Sequence, residues 1–352
     1  MPKGIRNPYR HRGISQDGLR PIASAKGVAA LLELCPAHQP TPLIDVPHLA
    51  EKVGAARFLV KDERGRMGLG SFKALGAAHA IAREAAAKVK DGNWQTALCG
   101  RTYVTASAGN HGMSVAAGAK LFGAQAVIYL AQTVPEAFAQ RLTKMGATVM
   151  REGADYEASM TAAALAAEKQ GWTLLSDSSW PGYTELPLRV MEGYLQLADE
   201  AAEQFDKTVG APPTHLFLQA GVGGLAAAVA AHARAHWGDA PTIIVVEPEA
   251  APALYESIRA GELVTAPGPV SAMGRLDCKT PSMIALEGLA RDADHFVAIT
   301  ETEAAEATNF LATIGLETTP SGGAGIAAAL AGFELGSDAR VLCYLSEGPE
   351  RG

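Results

Sequence analysis

The sequence predicts an α/β protein in which helices cover the faces of a mostly parallel sheet. Short β-rich runs alternate with helix-like segments, and such alternation is typical of parallel sheets, because each crossover between parallel strands needs a helix-sized connection. The 352 residues are 48% hydrophobic and 19% charged, so the chain can bury a substantial core. At about 150 residues per domain, the length allows about two domains.

The elements follow one another in a regular order. Apolar β-like runs fall at 58–61, 103–106, 126–130, 147–150, 216–219, 243–247 and 341–345. Between them, apolar residues recur at helical spacing, as at Val190, Met191, Tyr194, Leu197 and Ala198. Ala-rich runs in the 160s and 220s are also predicted to be helices. No repeat of 20 to 50 residues is visible, which excludes a repeat array.

Charge and cysteine content exclude several classes of protein. The formal net charge is −7, and the basic cluster of Lys3, Arg6, Arg10 and Arg12 is short, which argues against a nucleic-acid partner. That segment lacks a following apolar region, so we interpret it as an exposed arm and not a signal peptide. No apolar stretch is long enough to cross a bilayer. The four scattered cysteines predict no metal site and a cytoplasmic setting.

The first segment with chemical potential is 61–76. A strand ends in charged residues, a glycine-punctuated loop follows, and Ser71 is predicted to cap a long helix that carries Lys73 in its first turn. The positive end of that helix favours a neutral, nucleophilic amine at Lys73. Taken alone, a solvated helix lysine is the alternative.

The second segment is 105–112, where a strand ends and a helix begins. Free backbone N–H groups and the Ser107 hydroxyl at such a turn form a carboxylate site. Asn110 offers an amide to a ligand oxygen, and the glycines allow close approach to the backbone. A simple capping turn is the alternative.

The third segment is 218–226, again a strand, a glycine-rich turn and a helix. Such a turn binds a phosphate through backbone amides and the helix dipole. Residues 221–226 also fit the looser form of the dinucleotide fingerprint, and Glu247 lies near the distance of its acidic residue. A dinucleotide-dependent oxidoreductase is therefore a competing hypothesis.

The three segments occur together and in this order, and this set resembles the fold-type II pyridoxal-phosphate (PLP) enzymes of the tryptophan synthase β/threonine dehydratase superfamily. The resemblance runs from 40–43 to 346–348. Within the superfamily the sequence is most similar to the diaminopropionate ammonia-lyase family, through 60–63, 72–76, 109–112, 177–184 and 218–223. The segment from Asp177 through Trp180 and Tyr183 to Thr184 is specific to that branch.

The resemblance implies two open twisted-sheet domains with PLP between them. Residues 1–94 with 171–352 would form the larger, PLP-binding domain, and residues 95–170 a smaller inserted one. Lys73 would bind the cofactor covalently, Asn110 would contact its ring oxygen, and Ser346 would face its pyridine nitrogen. The residues implied for the phosphate are Gly221, Val222, Gly223, Gly224 and Leu225.

The resemblance also implies substrate and catalytic residues. Asp177 would be the catalytic carboxylate beside Lys73, and Tyr183 would form a wall of the pocket. The substrate carboxylate would lie among Ser107, Ala108, Gly109 and His111.

The implied reaction is an α,β-elimination that converts a small β-substituted amino acid to a 2-oxo acid and ammonia. 2,3-Diaminopropionate, giving pyruvate, is the leading substrate, with serine, threonine or 3-hydroxyaspartate as alternatives, and the implied assembly is a homodimer. The sequence departs from the family in two places: Ala108 replaces an acidic residue, and Arg275, Asp277 and Lys279 replace small residues in the loop 273–279 near the substrate. An arginine there can bind a distal carboxylate bidentately, which favours an acidic substrate.

Overall fold

A computed structural model describes residues 2–15, 18–35, 37–107 and 109–349. Its strands are β1 (Lys3–Arg6), β2 (Leu43–Asp45), β3 (Arg57–Asp62), β4 (Thr102–Ala106), β5 (Gln125–Leu130), β6 (Thr148–Arg151), β7 (Thr173–Leu174), β8 (His215–Gln219), β9 (Thr242–Pro248), β10 (His295–Ile299) and β11 (Arg340–Leu345). Its α-helices are α1 (Lys26–Leu32), α2 (Pro47–Val53), α3 (Lys73–Lys88), α4 (Asn110–Leu121), α5 (Glu136–Lys144), α6 (Tyr156–Gln170), α7 (Glu185–Val209), α8 (Gly224–Trp237), α9 (Ala253–Ala260), α10 (Met283–Asp292), α11 (Glu301–Thr313) and α12 (Ala324–Leu330).

The larger sheet contains seven strands within the described residues. Their order is β1-β10-β9-β8-β11-β3-β2, and the two edge strands run antiparallel to their neighbours while the five central strands are parallel. The central strands are apolar and buried on both faces, as parallel strands covered by helices must be. The predicted α/β architecture is therefore confirmed.

The smaller sheet is entirely parallel, with the order β6-β5-β4-β7 in the described part of the chain. Its strands run from Thr102 to Leu174, so β7 lies just beyond the predicted boundary at residue 170. The division of the chain into two domains, with the boundaries given above, stays a prediction.

The predicted strands are confirmed, and the prediction missed β1, β2, β7 and β10. Three of these have two to four residues, too short for a periodic signal. The fourth, β10, carries a recognisable apolar run at 296–299. Of the described helices, none is both long and apolar enough to span a membrane.

Helix α3 is held against α7 by a close approach of the two backbones. A Cβ atom at Gly193 would lie 2.4 Å from the Leu75 carbonyl oxygen, and one at Gly76 would lie 2.7 Å from the Tyr194 ring. These two glycines let the helices touch, and this packing fixes the position of the helix that begins at Lys73.

The carboxyl ends of several parallel strands meet at one place in the fold. The loops that follow β3, β4, β8 and β11 all contribute residues to the same cavity. Ligands bind in such a crevice outside the carboxyl ends of the strands in open α/β sheets.

Candidate active site

The largest set of predicted site residues lines one cavity of about 430 Å³, a size that suits a small ligand. The structure brings together Lys73, Ser107, Gly109, Asn110, His111, Asp177, Gly221, Val222, Gly223, Gly224, Leu225, Arg275 and Ser346. Ala108, the remaining predicted residue of the substrate loop, lies outside the described residues.

Lys73 stands at the first position of α3. Phe72 is the N-cap residue, where the sequence predicted Ser71, although the Ser71 hydroxyl still accepts a hydrogen bond from the Lys73 N–H at 3.3 Å. The Phe72 N–H donates to the Ser346 carbonyl at 3.0 Å. This hydrogen bond joins the start of α3 to the residue that follows β11. It places Lys73 at the carboxyl ends of the central strands.

The Lys73 amine forms an ion pair and hydrogen bond with Asp177 across the cavity. Burial alone would lower the pKa of Lys73, but the Asp177 carboxylate outweighs it and the pKa is raised. Burial alone would raise the pKa of Asp177, but the Lys73 charge holds it well below its usual value. Contrary to the predicted neutral amine, a carboxylate 104 residues away in the sequence favours the charged form of Lys73.

His111 is buried and uncharged beside this pair. Burial is the main reason that its pKa is lowered, and the nearby Lys73 charge contributes in the same direction. Its Nε2 lies 2.8 Å from the Leu175 carbonyl oxygen, so Nε2 carries the proton and Nδ1 is an acceptor.

The glycine-rich turn after β8 presents backbone N–H groups to the cavity at the start of α8. The first turn of a helix leaves such groups without carbonyl partners inside the helix. Gly223 has φ +96°, and a Cβ there would lie 3.0 Å from the Ala285 side chain and 3.1 Å from that of Leu254. This tight backbone forms the cradle that a phosphate requires.

Glu247 does not serve this turn. Its carboxylate accepts hydrogen bonds from the N–H groups of Leu254 and Tyr255, at 2.8 and 2.7 Å, at the start of α9. Burial raises its pKa to about 8. The dinucleotide hypothesis thereby loses the acidic residue that would bind a ribose, because that carboxylate caps a helix.

Glu347 is a cavity residue that the sequence analysis did not single out for a role. It is buried directly after Ser346, and its carboxylate accepts hydrogen bonds from the Asn110 amide and the Thr319 hydroxyl. Asn110 lies 237 residues away in the sequence, so only the fold reveals the contact. An acidic residue close after a buried strand was the available signal.

Other lining residues without a predicted role include Phe72, Phe138, Tyr156, Gln219, Leu276, Asp277, Cys278 and Ser321.

Two further predicted residues have partners that bear on their role. Arg275 lines the cavity, and its Nε lies 3.0 Å from Oε2 of Glu347. The Tyr183 ring does not line the described cavity: its hydroxyl donates to the Leu174 carbonyl at 2.8 Å and accepts from the Ser176 N–H at 3.0 Å. The structure thus brings Arg275 into the site and places Tyr183 behind the turn that carries Asp177.

The cavity residues fit pyridoxal phosphate. Lys73 is the one primary amine among the described lining residues, and it is the group that an aldehyde requires. The amides of 221–225 offer a phosphate cradle that side chains at Gly221 and Gly223 would crowd, since a Cβ at Gly221 would lie 3.1 Å from three neighbouring atoms. Ser346 supplies a hydroxyl and Asn110 an amide for a polar ring.

Comparison with known proteins also identifies similarity to pyridoxal-phosphate enzymes. A family of "pyridoxal-phosphate dependent enzyme" proteins matches residues 34–347. The diaminopropionate ammonia-lyase of Escherichia coli K12 is 34% identical over 278 residues, which cover 76% of this chain and 70% of that protein. The mouse L-serine dehydratase/L-threonine deaminase is 34% identical over 245 residues, which cover 69% of this chain and 67% of that protein.

Solved structures also resemble the fold. The Escherichia coli diaminopropionate ammonia-lyase in complex with an aminoacrylate-PLP azomethine reaction intermediate has a TM-score of 0.86 and 30% identity, covering 99% of this chain and 94% of that chain. The same enzyme has been solved in complex with D-serine, with a TM-score of 0.87. Maize serine racemase, at 21% identity and a TM-score of 0.78, shares the fold over 94% of this chain and 93% of its own.

Proposed function

Because this chain belongs to the pyridoxal-phosphate dependent enzyme family, we propose that it is an ammonia-lyase that eliminates the β-amino group of 2,3-diaminopropionate. The products are pyruvate and two molecules of ammonia, with one water consumed when the eliminated product hydrolyses. The observation that carries this proposal is the pair formed by the Lys73 amine and the Asp177 carboxylate inside a cavity with a phosphate cradle. The likeness to diaminopropionate ammonia-lyases supports the choice of substrate.

Lys73 and Asp177 are the two side chains that handle the proton removed from the α-carbon of the substrate. The bound cofactor supplies an electron sink for the bond that breaks at the α-carbon. In its neutral form Lys73 Nζ would accept the α-hydrogen as a proton, and the Asp177 carboxylate would stabilise the resulting ammonium. Ser346 would offer a neutral hydroxyl and not a carboxylate to the ring nitrogen of the cofactor, which favours elimination over transamination.

The turn from Ser107 to His111 orients the substrate. The start of α4 at Asn110 presents backbone N–H groups and a positive helix end, which suit the α-carboxylate. The lowered pKa of His111 disfavours a further positive charge beside the Lys73–Asp177 pair. Leu225 and the glycines before it would bind the phosphate of the cofactor.

We also propose that the enzyme is a homodimer in the cytoplasm. The cysteines at 35, 99, 278 and 343 are free thiols, and free thiols are typical of a reducing compartment. Light scattering on the purified protein tests the dimer, because a mass near 36.5 kDa for the particle would contradict it.

A dehydratase acting on serine, threonine or 3-hydroxyaspartate is the second candidate. It is favoured by the likeness to the mouse L-serine dehydratase/L-threonine deaminase and by Ala108, which stands where the ammonia-lyase family has an acidic residue.

The experiment that separates these functions is an assay of 2-oxo acid release by the cofactor-loaded protein. The substrates are L- and D-2,3-diaminopropionate, serine, threonine and 3-hydroxyaspartate, each tested alone. We expect the highest kcat/KM with a 2,3-diaminopropionate enantiomer. Release from a hydroxy amino acid alone would replace the proposed substrate with that of the second candidate.

A further inference from the structure

An ion pair between Arg275 and Glu347 stands in the wall of the cavity. Arg275 Nε lies 3.0 Å from Glu347 Oε2, and the two side chains are 28% and 5% exposed. Because Glu347 is buried, water and salt screen this pair less than a pair between two exposed side chains.

Glu347 is fixed in place from several directions. Its carboxylate also accepts hydrogen bonds from Asn110 and Thr319, and its carbonyl accepts one from the Thr318 hydroxyl at 2.6 Å. The Arg275 N–H donates to the Ser321 hydroxyl at 3.2 Å. The Glu347 carboxylate and the Arg275 backbone are therefore both held in place by their surroundings.

The other charges that line the cavity are paired as well. Lys73 pairs with Asp177, and Asp277 pairs with Lys279 at 2.5 Å. Arg275 is a cation that a distal carboxylate of a substrate would approach, and the Glu347 carboxylate already forms an ion pair with it. A second carboxylate would meet the negative charge of Glu347 at close range.

We propose that Glu347 is a specificity-determining residue: by pairing with Arg275 it excludes substrates that carry a distal carboxylate. The site then admits the β-ammonium group of a diamino acid or a β-hydroxyl group and rejects dicarboxylic amino acids. This inference rests on the proposed function, since it names the substrate class of the same site. It reverses the role expected for Arg275 from sequence, where the arginine by itself predicts an acidic substrate.

Four variants test the proposal: Glu347→Gln, Arg275→Gln, the double variant, and Glu334→Gln as a matched control. Glu347→Gln keeps the size of the side chain and removes the negative charge that faces Arg275. Glu334 is exposed, so its variant makes the same chemical change at the surface. Two readouts are used: the kcat/KM ratio of 3-hydroxyaspartate to 2,3-diaminopropionate, and the dissociation constants of the unreactive acids succinate and propionate, measured by calorimetry.

We expect Glu347→Gln to bind succinate at least about tenfold more tightly than the unaltered protein, with propionate changed less than about twofold. The kcat/KM ratio shifts in the same direction. Adding Arg275→Gln removes the gain, because the double variant lacks the guanidinium that would attract the distal carboxylate. Arg275→Gln alone and Glu334→Gln leave succinate binding no tighter than in the unaltered protein.

A folded Glu347→Gln protein with unchanged succinate binding would overturn the proposal, and so would a gain that survives in the double variant. If Glu347→Gln does not fold, tighter succinate binding by Arg275→Gln alone overturns it. Succinate binding does not depend on turnover. An enzyme that fails to act on 2,3-diaminopropionate but shows the succinate shift would therefore contradict the proposed function and leave this inference standing.

Discussion

At the scale of single residues, the chemistry depends on a charge that the sequence does not reveal. The Asp177 carboxylate lies beside the Lys73 amine, raises its pKa and so favours its ammonium form. The lysine must therefore give up a proton before it can act as a base. This pairing predicts that the two residues work as a unit, so that a variant lacking either side chain loses most of the catalytic rate.

Replacing Asp177 with Asn tests this unit. The variant keeps the shape of the side chain but cannot stabilise the Lys73 ammonium, so we expect kcat on the best substrate to fall about 100-fold or more. Asp155→Asn is the matched control, because Asp155 is an exposed N-cap of α6 and asparagine is also a good cap. Turnover is measured after the cofactor absorbance shows that both variants are loaded. Full turnover by Asp177→Asn would remove it from the mechanism.

The residues that carry recognisable motifs could be predicted from sequence, and those defined by distant contacts could not. Lys73, Asn110 and Ser346 stand in short segments with a clear chemical pattern, and all three line the cavity. Glu347 was missed because its role comes from partners such as Arg275, which only the fold brings near. The protonation of Lys73 was mispredicted for the same reason.

At the scale of elements, the glycine turn before α8 depends on a backbone that other residues cannot adopt. Gly223 has a positive φ, and the side chains of Ala285 and Leu254 lie close to the position that a Cβ atom would take there. The turn is therefore shaped from behind by α9 and α10, which hold its amides toward the cavity.

Gly223→Ala tests the turn as a phosphate cradle. The added methyl group strains the backbone and displaces the amides, so we expect the dissociation constant for pyridoxal phosphate to rise about tenfold or more. Gly238→Ala is the control, since Gly238 also has a positive φ, +61°, but stands at the far end of α8 with nothing within 4 Å of its Cβ position. Equilibrium dialysis measures the affinity. An equal loss in both variants would show that strain alone, and not the cradle, is responsible.

Most of the element order could also be predicted from sequence. The central strands are apolar on both faces, so they carry a strong signal whatever their surroundings. The edge strands β1 and β2 depend on pairing with β10 and β3 and have little signal of their own.

At the scale of the whole molecule, a buried ionic network joins the larger sheet to α7. Glu200 of α7 accepts hydrogen bonds from Lys61 of β3 at 2.8 Å and from Arg66 at 2.7 Å, and Arg66 also binds Glu63 at 2.7 Å. Lys61 and Arg66 are fully buried. The network anchors the 3₁₀ turn at Glu63–Gly68, which leads to the start of α3 at Lys73.

Glu200→Gln is predicted to destabilise the whole fold. It leaves two buried cations with a missing partner, so we expect the free energy of unfolding at pH 7 to fall by about 3 kcal/mol. Glu203→Gln is the control on the same helix, because Glu203 is 61% exposed and only 3.8 Å from Lys207, and we expect it to lose less than about 0.5 kcal/mol. Urea unfolding measures both. Equal losses in the free energy of unfolding would show that the buried network stabilises the fold no more than the exposed ion pair does.

The same network predicts a pH dependence. Burial would raise the pKa of Glu200, but hydrogen bonds and charges from Arg66 and Lys61 outweigh it and lower the pKa to about 2. Because the pKa is depressed in the folded state, this stabilisation is complete above the ordinary value of 4.5 and is lost as the pH falls toward 2. The stability difference between the unaltered protein and Glu200→Gln is therefore constant from pH 7 to about 5 and shrinks below that range.

The measurement that tests the central claim most directly is the ratio of ammonia to pyruvate released from 2,3-diaminopropionate by the cofactor-loaded protein. Elimination of the β-amino group followed by hydrolysis gives two ammonia molecules for each pyruvate, and we predict that ratio with Lys73 and Asp177 intact. A protein that releases neither product, or that forms by transamination a 2-oxo acid which still carries the β-nitrogen and releases no ammonia, would contradict the assignment of this site as an α,β-eliminating ammonia-lyase.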